Sequence, residues 1–124
     1  MRTGVWLIGA RGSVAVTSTL GALGVRAGLA DPTGCVLESP GLHSDALPGI
    51  GELVFGGHDI SSIPLDKKAA ALAEAGIVPA RLAGAVRDAL LEVEQDVRPL
   101  PVRDTQAAVA DAIGADLDRV PLGY

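Results

Sequence analysis

The feature that most constrains this chain is an unbroken apolar run that stops at a glycine and resumes as a helix of small residues. It reads Gly4-Val5-Trp6-Leu7-Ile8-Gly9-Ala10-Arg11-Gly12-Ser13-Val14-Ala15. Val5 to Ile8 are apolar without alternation, the pattern of a strand covered on both faces of a parallel sheet. Strand, glycine turn and helix together match the opening of a nucleotide-binding β-turn-α unit. In such a unit the glycines admit a pyrophosphate to the backbone, and the helix offers it N-terminal amides. The spacing here, Gly9-x-x-Gly12-x-x-Ala15, departs from G-x-G-x-x-G, but the strand before it and the helix after it are what the motif requires. The same strand and turn also occur in folds that bind nothing. Gly9 and Gly12 are the phosphate-loop candidates, with Ser13 and Val14 supplying helix-start amides. Arg11 either faces the pyrophosphate or is a solvated turn residue.

Along the chain, a helix is expected from Ser13 to about Ala27, with Gly21 and Gly24 trading propensity for close packing on the sheet. Asp31-Pro32-Thr33-Gly34 is a turn, and Cys35 to Glu38 reads as a second strand. Ser39 to Gly51 is a loop. Glu52 to Phe55 is the third strand, followed by Gly56-Gly57-His58-Asp59-Ile60-Ser61. After Pro64 a helix runs from Leu65 to Ala75, stopped by Gly76. Pro79 opens a longer helix to about Val97, with Leu82, Val86, Leu90, Val93 and Val97 as its apolar stripe, and Arg98 to Pro101 break it. Thr105 caps a last amphipathic helix through Val109 and Ile113 toward Leu117.

This order, β-α-β-loop-β followed by helices, is an α/β pattern: part of a Rossmann-like domain with a truncated parallel sheet. In the usual order the first strand is central, with the second and third on one side. Strands for its other side do not follow, which predicts an open apolar edge. On this reading residues 1–120 are the N-terminal part of such a domain, and 121–124 are an aberrant or truncated tail.

Composition narrows the classes. The chain has 124 residues, one domain at most, and 48% hydrophobic content. With a mean hydropathy of +0.37 it reads as a folded soluble chain. A net charge of −5 without any Lys/Arg cluster argues against nucleic-acid or anionic-membrane partners. Arg11 and Arg26 interrupt the apolar stretches that a secretory leader or membrane span would need. One cysteine, Cys35, excludes an internal disulfide, fits a reducing cytoplasm, and reads as a small buried residue rather than a nucleophile. His43 and His58 lack metal-ligand spacing with each other or with Cys35, so no metal is expected. Lys67 and Lys68 begin a helix on its wet face.

Gly56-Gly57-His58-Asp59 is the second informative cluster, placed at the carboxyl edge of the sheet where open α/β folds bind ligands. Paired glycines permit close approach. Asp59 accepts from a ribose or nicotinamide group or caps a following turn. His58 is a general acid/base or a partly buried polar side chain. For the ribose hydroxyls, an acid after the second strand is wanted. Glu38 ends that strand and Asp31 lies in the turn before it; position favours Glu38, and a plain surface carboxylate fits either.

With both glycine clusters in place, the chain resembles the N-terminal part of the inositol-3-phosphate synthases (myo-inositol-1-phosphate synthases), closest to the actinobacterial type. The resemblance rests on Val5 through Ala15, Arg26 through Gly34, and Phe55-Gly56-Gly57-His58-Asp59-Ile60-Ser61. The last is similar to the family's Gly-Gly-Trp-Asp-Ile-Ser, with His58 in the tryptophan's place. It continues through Ala75–Pro79 and Arg98-Pro99 to about Val120. It implies an NAD-binding domain whose cofactor contacts map onto Gly9, Arg11, Gly12, Ser13 and Asp59. The family converts glucose 6-phosphate to inositol 3-phosphate, in inositol and phospholipid biosynthesis. It oxidises the sugar, closes the ring by an aldol step and reduces the product with the same NAD. Its catalytic lysines and acids, and the domain that builds its homotetramer, lie later in the family's chain. The departure into Pro121-Leu122-Gly123-Tyr124 looks like a truncated or frameshifted copy, expected to bind NAD weakly alone and not to catalyse. The alternatives are a free-standing nucleotide-binding or regulatory module completed by another chain, and a nonfunctional gene remnant.

Overall fold

The computed structural model describes residues 2–33, 35, 41 and 46–100. Within them the order is β1 (Thr3–Ile8), α1 (Ser13–Arg26), a 3-10 turn (Ile50–Glu52), β2 (Leu53–Asp59), α2 (Leu65–Glu74), α3 (Ala80–Ala85), α4 (Arg87–Glu94) and β3 (Val97–Pro99). The three strands form one parallel sheet in the order β1-β2-β3. Ile8 lies opposite His58, and Asp59 opposite Pro99. Parallel strands bring their carboxyl ends to one edge, so the turn after β1 and the turn after β2 are neighbours. This is the α/β, Rossmann-like architecture expected, in partial form.

The core is aliphatic and lies on one side of the sheet. Val16, Leu20 and Leu23 of α1 join Leu65, Ala69 and Leu72 of α2, Leu90 of α4 and Val97 of β3, with Leu7 packed against them. Leu20, Leu90 and Val16 are fully buried, so each withdraws an aliphatic side chain worth about 1.5–3 kcal/mol from water. Gly24 explains how α1 comes so near α3. A Cβ there would lie 2.8 Å from a Leu82 methyl, so close helix packing is the return for its poor helix propensity.

Several expectations need correction. β1 is not covered on both faces: its burial alternates, and Trp6 and Ile8 are 48% and 52% exposed on the side opposite Leu7. Among the described residues β1 is paired on one side only, with β2. The segment expected as the third strand is not separated from the first but hydrogen-bonded directly to it, and it extends through Gly56–Asp59 instead of stopping at Phe55. The helix expected from Pro79 to Val97 divides at Val86 (φ −99°, ψ 11°) into α3 and α4. Its last apolar residue, Val97, belongs to β3, reached because Asp96 and Gly57 join backbones: the Gly57 N–H donates to the Asp96 carbonyl at 3.1 Å. Residues 36–38 of the expected second strand, Glu38 included, His43 of the expected loop, the helix expected from Thr105 and the tail 121–124 lie outside the described residues. No helix among those described is long and apolar enough to cross a membrane.

Candidate cofactor-binding site

The loop from Gly9 to Gly12 is shaped by its own backbone. Gly9 has φ +90°, in the left-handed region that side chains avoid. The reversed chain lets Gly9 and Ala10 donate their N–H groups to the His58 carbonyl, at 2.7 and 3.1 Å, which ties the turn to β2. The Gly12 N–H then donates to the Gly9 carbonyl at 2.9 Å. A Cβ on Gly12 would stand 3.1 Å from that same carbonyl, so the closure tolerates a side chain poorly.

Two acids brace this loop from below. Asp59, at the end of β2 and 9% exposed, accepts the Arg11 N–H on Oδ2 at 2.7 Å and the Ser61 N–H on Oδ1 at 2.8 Å. Of the two alternatives raised for Asp59, the structure shows the cap of the turn that follows, and its other oxygen holds the Arg11 backbone of the glycine loop. The Arg11 guanidinium is not a solvated turn group. Its side chain is 11% exposed, paired with Glu94 of α4 at 2.5 Å and donating to the Ile63 carbonyl at 3.0 Å.

What the loop leaves free is the start of α1. The first bond within that helix is Val16 N–H to the Gly12 carbonyl, so the amides of Ser13, Val14 and Ala15 have no partner in the helix. Gly12 provides no side-chain cap, and the first turn contains no acid to oppose the helix dipole. Val14 is 82% exposed. Convergent, uncompensated amides at a wet helix start are a donor set that fits a pyrophosphate.

Gly9, Arg11, Gly12, Ser13 and Asp59 are therefore gathered at one place, while Glu38 lies outside the described residues. Asp31 is exposed and its carboxylate is occupied locally, accepting from the Thr33 N–H and hydroxyl. His58 is buried at 6% exposure and accepts the Trp6 indole N–H on Nδ1 at 2.9 Å, which places its proton on Nε2. Gly56 and Gly57, expected to permit a ligand's close approach, instead make room for the protein itself. A Cβ on Gly57 would collide with the Leu7 carbonyl oxygen, and one on Gly56 would meet Trp6 at 2.9 Å and the Asp96 carbonyl at 3.0 Å. Lys67 is exposed, Lys68 half-buried. No cluster of metal-ligating residues occurs among the described residues. Glu94 is the residue that sequence reasoning passed over. The available signal was its place four after Leu90, on the buried face of the amphipathic stripe.

Residues 3–111 match the family model of the NAD-binding domain of myo-inositol-1-phosphate synthase. No curated protein matched the chain. The match spans both glycine clusters and every described element, and with the loop geometry it makes this an NAD-binding chain. The protein belongs to the myo-inositol-1-phosphate synthase family.

Proposed function

We propose that this chain holds NAD for the conversion of glucose 6-phosphate to inositol 3-phosphate, with the pyrophosphate on the Ser13–Ala15 amides. The observation that carries the reading is the bare start of α1: three amides without helix partners, no cap and no acid in the first turn. When bound, NAD supplies a hydride acceptor and, after reduction, a hydride donor. The chain's own part is to bind and orient. Gly9 turns the backbone, Gly12 keeps the approach clear, and Asp59 fixes the loop through the Arg11 N–H. Neither Asp59 oxygen is idle, so its role in this reading is to shape the site; a ribose contact falls to Glu38. The residues of this site supply the cofactor's share of the proposed reaction. Glucose 6-phosphate and the homotetramer belong to the same proposal.

A second reading has one observation in its favour. Trp6 and Ile8 form an exposed apolar strip on β1, which among the described residues is paired on one side only, and this suits a module whose sheet another chain completes.

Calorimetric titration of the full chain with NAD, beside a Gly12→Glu variant, tests the first reading. Weak saturable binding that the variant abolishes is expected, because a carboxylate would sit where the phosphates do. Equal binding by both proteins would overturn the assignment of the site.

A further inference from the structure

Arg11 occupies the position in the loop from which a guanidinium would ordinarily reach for phosphate, yet its charge is directed inward. Nη1 pairs with Glu94 Oε2 and donates to the Ile63 carbonyl, while Glu94 Oε1 accepts the Leu65 N–H at 3.2 Å. One carboxylate thus joins the cofactor loop, the start of α2 and the end of α4. The two side chains are 11% and 25% exposed, so the pair is shielded from the screening that makes surface ion pairs weak. Each donor has a clear reason to stay: leaving the Arg11 charge partly buried without its partner is costly, and the Leu65 N–H is a helix-start amide with no intrahelical acceptor. Asp59 holds the Arg11 backbone from the other side at 2.7 Å. Arg11 is therefore clamped at both ends, main chain by β2 and side chain by α4.

We propose that Glu94 is a positioning residue for NAD binding: it latches the Gly9–Gly12 loop to α4 through Arg11, leaving the pyrophosphate to the helix amides alone. The proposal rests on the assignment of NAD to the start of α1. Its distinctive consequence is that Arg11 and Glu94 act as a unit. A phosphate-binding arginine held back by a competing acid would behave the opposite way, because removing the acid would then tighten binding.

The test is a ¹⁵N-detected NAD titration, with amide exchange measured before NAD is added, on the full chain and its Glu94→Ala, Arg11→Ala, Arg11→Lys and doubly alanine-substituted forms. Each alanine variant is expected to raise the NAD dissociation constant about tenfold, the cost of roughly 1.4 kcal/mol, and to speed exchange of the Arg11 amide. The double variant is expected to be no worse than either single one. Arg11→Lys keeps the affinity that Arg11→Ala loses, and made in the Glu94→Ala chain it does not. Glu94→Gln, which keeps an acceptor for Leu65, supplies the same reading if the alanine variant does not fold. Unchanged affinity, tighter binding in Glu94→Ala, or additive losses would overturn the latch. Faster Arg11 exchange in a chain whose Ser13–Ala15 amides ignore NAD would support the latch and overturn the assignment of the site instead.

Discussion

Gly9 turns its loop at φ +90°, a backbone no other residue adopts easily, and Gly12, in extended backbone, closes that loop against the Gly9 carbonyl at the start of α1. Gly56 and Gly57 stand inside a buried strand, in backbone that any residue could adopt, and are required because Trp6, Leu7, Ala10 and Asp96 occupy the space around them. Of the first pair, Gly9 is glycine for conformation and Gly12 for its close approach to the Gly9 carbonyl. The second pair is glycine for contact between strands, and it serves the cofactor only by bringing β2 close enough for the His58 carbonyl and Asp59 to grip the loop. A run of small residues near a binding site therefore has two separate physical meanings, and substitution distinguishes them.

The largest effect is expected from Gly57→Ala. The new methyl would collide with the Leu7 carbonyl in the middle of the β1–β2 pairing, and backbone cannot swing aside as a side chain can. A loss of about 4 kcal/mol or more, seen as an unfolded circular dichroism spectrum, is expected. Asp59→Ala comes next. It leaves the Arg11 and Ser61 amides without their acceptor, a cost of about 3 kcal/mol in chemical denaturation, and Asp59→Asn recovers part of it. Gly9→Ala meets no atom within 4 Å, so only strain at φ +90° opposes it, about 2 kcal/mol. Should Gly9→Ala prove more damaging than Gly57→Ala, the division between conformation and contact would fail. Trp6→Phe is the smallest. It removes the indole donor from His58 Nδ1 and costs about 1 kcal/mol by thermal unfolding, since the ring itself is half exposed.

Local patterns reveal α1 and α2 clearly, because their apolar residues recur at helical spacing and Pro64 and Gly76 bound the second. β1 and its glycine loop are equally plain. β2 is harder: Gly56-Gly57 carries the usual mark of a strand's end, and only the packing of Trp6, Leu7, Ala10 and Asp96 against it shows why it is not one. β3 is hidden twice, since Val97 continues the helical stripe and Arg98-Pro99 looks like a breaker; proline is admitted in β3 because β3 is an edge strand among the described residues. In the site, Gly9, Gly12 and Ser13 are legible as a motif. The clamp is not, because Asp59 reaches Arg11 across 48 positions and Glu94 across 83. Such contacts follow from the parallel order of the strands and leave no periodic trace.

In the proposed site NAD meets the free amides of α1 while the loop before them stays tied to β2. This is tested most directly by following backbone amide shifts as NAD is added to the full chain. The largest shifts are expected at Ser13, Val14 and Ala15, and small ones at Gly9, Ala10 and Arg11, whose N–H groups are already bonded to His58 and Asp59. Shifts centred on Gly56 and Gly57, with none at the start of α1, would contradict it.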